Sequence, residues 1–171
     1  MNFQFYVEKL KSSQEYKKFM KENKDAFPCS CFFLMDKAGG AKQHIDFCIP
    51  STGKMISFAL ENEIEILPMD ASDGKKMPKI SLSHDFDFND IEKLVLERME
   101  QEGMKNKLQK MLLSMQNLNG KDFFSGTIFV SGLGLINMTL DITDMNITDF
   151  KKRSLLDMMT LFKKDKDEKK E

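Results

Sequence analysis

A helical period gives way to a β period twice along this chain, at an offset of about 80 residues, and that alternation constrains its fold more than any other feature. The first helical stretch is "SSQEYKKFMKENKD", where Ser12 precedes Glu15 at capping-box spacing and Tyr16, Phe19 and Met20 fall on one face. It predicts a helix over residues 13–23. The second starts at Asn89, with Glu92 at the same spacing, a stripe of Ile91, Leu94, Val95 and Met99, and Gly103 as its C-cap. Strand-like runs follow each helix. "CSCFFLMD" and "HIDFCIP" flank "KAGGAK", "KMISFALE" and "EIEILP" continue a meander, "DASDGKKMPK" is a polar loop, and "ISLS" reads as a short further strand. In the second half, "KLQKMLLSMQ" fits a helical stripe and also a strand with Met111, Leu113 and Met115 on one face; the strand over residues 108–116 is preferred because "NLNG" then turns into "KDFFSGTIFVSGLGLINMTLDI".

Helix, strand, strand, strand therefore occurs twice, with Gly40 and Gly120 each ending a first hairpin loop. The expected fold class is α+β: two successive helix-plus-antiparallel-meander units forming a curved sheet covered by helices. One domain spans residues 1–149, with halves of about 1–83 and 84–149. An amphipathic segment over residues 150–162 and a charged tail, expected to be disordered, over 163–171 complete the chain.

Hairpin geometry turns this order into side-chain positions. A two-residue loop at Gly39 and Gly40 pairs Phe32 with Phe47 and Leu34 with Ile45 on the core side, and Cys31 with Cys48 and Met35 with His44 on the other. A loop at Gly132 to Gly134 pairs Val130 with Ile136, Ile128 with Met138 and Thr127 with Thr139.

The composition suits such a domain and narrows its partners. With 171 residues, 41% apolar and 31% charged, the chain can bury a substantial core. Its 26 Lys and Arg against 27 Asp and Glu leave a formal charge of -1, so no global field favours nucleic acid, and no nucleic-acid partner is expected. No apolar run approaches the roughly 18 residues of a membrane-spanning helix. The stretch "MNFQFYVEKLKSSQEYKK" meets charge before it builds a signal-peptide core, so a cytoplasmic location is expected. The odd number of cysteines, three, points to reduced thiols. Fifteen Phe and no Trp make Phe the carrier of aromatic packing, and fourteen Met suit a plastic core.

Three motifs have the outline of a site. Cys29, Cys31 and Cys48 are the candidate metal ligands, with Cys31 and Cys48 neighbours in the expected register. Zinc needs four ligands at about 2.0 to 2.3 Å, and His44 would lie some 13 Å from Cys48 along its strand. Buried thiols without metal are the expectation. In "DFDFND", Asp85, Asp87 and Asn89 match the start of a calcium loop, but Asp90 stands where the turn needs Gly and Leu96 where a bidentate Glu belongs, so helix capping explains them. In "SGLGL", Asn137 replaces the third Gly of a phosphate loop, and the glycines read as a hairpin turn. HExxH, GxSxG and CxxC do not occur, so no catalytic residue, no enzyme activity and no cofactor is expected.

Residues 150–164 are the most suggestive surface feature. Leu155, Met158, Met159 and Phe162 share helical spacing, while Lys151, Lys152, Arg153, Lys163 and Lys164 cluster around them, a pattern that suits a segment packing its apolar residues on the sheet with its lysines in water, and also a partner-binding or membrane-surface helix.

The stretches "YKKFMKENKDAFPCSCFFLMDK" and "NLNGKDFFSGTIFV", the latter leading to "LINMTLDI", resemble a family of small archaeal proteins similar to PepSY (peptidase-propeptide-like) domains. The resemblance spans most of residues 13–143, implies a PepSY-like or cystatin-like fold of helix and meander repeated once, and supports a strand at 108–116. It brings no catalytic residue. PepSY-like domains are regarded as protein-binding or protease-modulating modules, which implies a binding role. The expected function is a non-enzymatic binding module for another protein. The alternatives are a peripheral membrane factor using residues 150–164 and a small-molecule carrier or enzyme with a site between sheet and helix. An exposed sheet edge makes a homodimer reasonable.

Overall fold

The computed structural model describes residues 2–69 and 77–154. Two short helices open the chain, α1 (Phe3–Ser12) and α2 (Gln14–Glu22). Asn2 caps α1 by accepting a hydrogen bond from the Gln4 N–H at 2.7 Å, and the stripe Phe3, Tyr6, Val7, Leu10 is buried. Ser13 both ends α1 and caps α2, its hydroxyl accepting from the Tyr16 N–H at 3.1 Å. The helix expected over 13–23 is therefore α2, with Ser13 rather than Ser12 as its cap. The strands β1 (Phe27–Asp36), β2 (Ala41–Ile49), β3 (Lys54–Ala59) and β4 (Glu65–Met69) follow, then α3 (Phe88–Gln101), then β5 (Leu108–Leu118), β6 (Lys121–Val130), β7 (Gly134–Asp141) and β8 (Asn146–Ser154).

All eight strands form one antiparallel sheet in the order β4-β3-β2-β1-β5-β6-β7-β8. The chain is thus α+β, with a large antiparallel sheet and three helices among the described residues. Strands β1 and β5 pair at the centre, and each meander runs outward from them. Strands β2 and β6 begin at Ala41 and Lys121, and β3 and β7 at Lys54 and Gly134, the offset of about 80 residues expected from the sequence. Each meander has four strands rather than three. "ISLS" is not one of them: the Ile80 N–H donates to Pro28 O at 3.0 Å and the Ser81 N–H to Asp122 Oδ2 at 2.8 Å, making a strap across the sheet end. The reading of 108–116 as strand holds, with Met111, Leu113 and Met115 fully buried on one face.

The first hairpin differs from expectation in a way that matters. Its loop is Lys37 to Gly40, closed by Gly39 N–H to Asp36 O at 3.2 Å and by Ala38 N–H to Asp36 Oδ1 at 2.9 Å, with Gly39 and Gly40 both at positive φ. Cys31 therefore pairs with Ile45, Phe32 with His44 and Met35 with Ala41. An odd slip exchanges the two faces of a strand. The core face of β1 carries Cys31 and Phe33, while Phe32 and Leu34 turn to the other side. In the last hairpin Val130 pairs with Gly134 and Ile128 with Ile136, an even slip that leaves the faces as expected.

The three helices pack on one face of the sheet. Phe33 joins Phe3, Tyr6, Phe88 and Phe124 in an aromatic cluster, and Phe47 joins Tyr16, Phe19 and Phe58 in a second. Gly126 on β6 is a close-approach position: a Cβ there would lie 2.8 Å from Met138 Cγ, so its absence lets Met138 lie across the strand. The segment from residue 150 is also corrected, because Phe150 to Ser154 belong to the edge strand β8, with Lys151, Lys152 and Arg153 paired to Asn137, Ile136 and Leu135. Charged side chains on an edge strand remain solvated while discouraging further pairing. Leu155, Met158, Met159, Phe162 and the charged tail lie outside the described residues. No helix among those described is long and apolar enough to cross a membrane.

Candidate functional site

The cysteines, the first candidates from the sequence, do not converge. Cys31 is fully buried on the helix-covered face and pairs with Ile45, whereas Cys48 lies on the opposite face of β2, so the expected Cys31–Cys48 neighbourhood is not formed. Cys29 sits in the bulge between Pro28 and Ser30 and is the one near Cys48. Burial, with the Asp46 charge adding, pushes the Cys29 thiol up to about 12, and burial pushes Cys31 well above its ordinary value. No three His, Cys, Asp or Glu residues among those described are grouped to hold a metal ion. Thiols held protonated are poor nucleophiles and poor ligands. Iodoacetamide on the native protein is therefore expected to alkylate Cys48 alone, with Cys29 and Cys31 reacting only after denaturation. Mass spectrometry of the labelled chain reads this directly, and native labelling of Cys31 would contradict it.

The calcium-like run resolves into caps: Asp87 caps α3 by accepting from the Asn89 N–H at 2.8 Å, and Asp85 accepts from Asn2 Nδ2 at 2.8 Å. Gly132, of "SGLGL", has the positive φ of a turn.

Both imidazoles have partners that sequence spacing did not reveal. His84 Nε2 lies 2.7 Å from Asp122 Oδ2, across 38 residues. Asp122 also accepts from Ser81 N–H and, at 2.6 Å, from Asn117 Nδ2. Its burial alone would raise the carboxyl, but these hydrogen bonds outweigh it and hold the group below the usual carboxylate range. His44 bridges Ser57 Oγ (Nδ1, 3.1 Å) and Glu61 Oε1 (Nε2, 3.1 Å). A hydroxyl, an imidazole and a carboxylate in series have the order of a hydrolytic triad. Here, however, Ser57 is only 4% exposed in an interior strand paired to both β2 and β4, so no free backbone N–H pair stands beside its Oγ to receive an oxyanion. The arrangement binds β2, β3 and the following turn together.

Two features among the described residues stand out as able to engage another molecule. The first is a cleft of about 230 Å³ on the helix-covered face, between α1, α3 and the ends of β1, β2 and β5. Phe33, Phe88, Met35 and Met111 wall it, and Gln43 reaches into it from β2. Burial, with the Glu61 charge adding, raises the Tyr6 phenol at its edge.

The second is the sheet's other face, on which no helix packs among the described residues. There Phe32, Leu34, Leu112 and Phe129 are half-buried and Leu135 is buried. Leu34 pairs with Leu112, and Phe129 with Leu135. They form an apolar strip over the central strands β1, β5, β6 and β7. The sequence signal for it is the apolar doublet: Phe32-Phe33, Leu112-Leu113, Ile128-Phe129 and Leu135-Ile136 put an apolar group on each face of their strands.

No protein-family model and no curated protein sequence matches the chain. A crystal structure of a candidate lipoprotein from Clostridium difficile is similar in fold, with a TM-score of 0.53 at 13% identity, covering 81% of this chain and 90% of that one. At that identity the likeness concerns the path of the backbone alone.

Proposed function

We propose that this chain is a non-enzymatic binding module whose partner is a protein seated on the sheet face that the helices leave bare. The observation that supports this is the two-sided apolar character of the central strands. An antiparallel sheet with one solvated face normally alternates apolar with polar residues, whereas here Phe32, Leu34, Leu112 and Phe129 make a contiguous strip where water would favour polar groups. The sheet edges are poorer docking sites. Strand β4 carries Pro68, which has no N–H to offer a further strand, and β8 carries Lys151, Lys152 and Arg153 in succession. A homodimer built by edge pairing is disfavoured by the same residues. The PepSY resemblance agrees with this reading, since the repeated helix-plus-meander unit is a binding scaffold in that family, and we retain it as the finer description of the fold.

Substituting Leu112→Lys places a charge in the middle of the strip without entering the helix-covered core, so stability is expected to change by less than about 1 kcal/mol. The test is affinity capture with the full chain and with this variant, from cytosolic and envelope fractions, followed by reconstitution of any captured protein with purified chain. A partner bound by the parent and at least about tenfold more weakly by the variant is expected. Equal recovery by both chains would exclude the strip.

A further inference from the structure

The cleft under α1 and α3 lies on the opposite side of the sheet from the apolar strip and requires its own explanation. We propose that it is a binding site for a small uncharged molecule made of one aromatic ring carrying a carboxamide group. Size, wall chemistry, the polar anchor and charge each bear on this choice.

A dry cavity of about 150 Å³ accepts benzene, so one of about 230 Å³ leaves room for a ring and a substituent of a few heavy atoms. Its volume falls short of the roughly 300 Å³ upward that encloses a drug-sized ligand, so a single ring is the unit that it covers well. The walls suit a planar ring: Phe33 and Phe88 lie with centroids 4.6 Å apart, and the thioethers of Met35 and Met111 adapt to an aromatic edge.

Gln43 supplies the anchor. It is 7% exposed, on the cleft side of β2, and its backbone is fully used, the N–H donating to Glu61 Oε1 at 3.0 Å and the carbonyl accepting from Leu60 N–H at 2.9 Å. Its side-chain amide has no hydrogen-bond partner among the described residues and is not sealed from solvent, so it opens onto the cleft. An amide presents both a donor and an acceptor, and a second amide is the group that satisfies both at once. An amide that opens onto a cleft with no protein partner leaves both its donor and its acceptor free for a ligand.

Charge excludes the acidic analogue. The charged groups at the cleft are already matched, Lys37 to Glu92 at 2.5 Å and Asp36 to Lys110 at 2.8 Å, leaving no unpaired cation for a carboxylate among the described lining residues. Glu61 beside Gln43 adds a further repulsion for an anion.

The test uses the full chain labelled at its methionine methyls and three probes: benzamide, toluene and benzoate. Benzamide is expected to shift the Met35 and Met111 methyl resonances saturably, and benzoate to leave them unmoved. Gln43→Leu should weaken benzamide about fivefold while changing toluene less than about twofold. Ala41 is exposed at the cleft mouth, so Ala41→Trp should abolish the benzamide shifts without entering the core. Unsaturable or absent benzamide shifts, benzoate binding as tightly as benzamide, benzamide binding undiminished in Ala41→Trp, or equal losses of benzamide and toluene in Gln43→Leu would each overturn the assignment. None of these readouts depends on the sheet-face partner, since Leu112→Lys leaves the cleft untouched.

Discussion

Phe33→Ala is expected to lower the stability of this fold by about 4 kcal/mol, while the same truncation at the adjacent Phe32 lowers it by about 1 kcal/mol. Phe33 is 1% exposed and its ring meets Phe3 and Tyr6 at 6.0 Å, Phe88 at 4.6 Å and Phe124 at 6.3 Å. Those neighbours sit on α1, α3 and β6, three elements that cannot all move inward to fill the space, so the void persists and its cost adds to the lost burial. Phe32 is half-buried on the face without helices, where water can replace it. For a domain of this size the Phe33 change corresponds to a fall in Tm of about 8 to 16 °C. Thermal and denaturant melts of the two variants measure the difference. The reverse order of effects would restore the pairing of Phe32 with Phe47 and exchange the two faces of β1.

That comparison shows where reading from sequence succeeded and where it lost information. Strand β5 was identifiable because Met111, Leu113 and Met115 alternate, and α3 because its stripe and its Gly103 cap agree. The register of β1 on β2 was not, because "CFFLM" is apolar on both faces: Cys31 and Phe33 face the helices, and Phe32 and Leu34 face away. Alternation cannot choose between faces when both are apolar, so the register rests on the loop alone, and a two-residue turn gives the opposite parity. The Asp36 side chain and carbonyl instead organise a four-residue turn. Helix α1 does leave a signal in the sequence, the helical spacing of Phe3, Tyr6, Val7 and Leu10.

The site was less legible than the fold, for a reason of distance. Gln43 is unremarkable in "AKQHIDFC"; its significance comes from the cleft formed around it by Phe88 of α3 and Phe33 of β1. The pairing of His84 with Asp122 likewise bridges 38 residues of sequence. Local patterning reports which residues seek burial, and such long-range meetings exist only once the sheet has formed. The apolar strip is the exception, since its doublets stand in the sequence and their excess over simple alternation is visible without coordinates.

Asp122 joins the strap before α3 to β6, and it carries the second large effect. Its carboxylate, itself 5% exposed, receives hydrogen bonds from Ser81 N–H, Asn117 and His84, so it holds the strap at residues 80–84 against β6. Asp122→Ala leaves these groups without an acceptor in a partly buried setting and is expected to cost about 2 kcal/mol, or a Tm lower by about 4 to 8 °C. Asp122→Asn keeps the shape and one acceptor oxygen and should cost less. The two variants also differ from the parent in acid. Because the folded-state pKa of Asp122 is depressed, its contribution is fully present above the unfolded value of about 4 and is lost as pH falls through the folded one. Denaturant melts between neutral pH and acid should therefore show the gap between parent and Asp122→Asn wide above pH about 4 and narrowing below it. A gap that stays constant into acid would mean that the strap is held by packing, with the carboxylate a bystander.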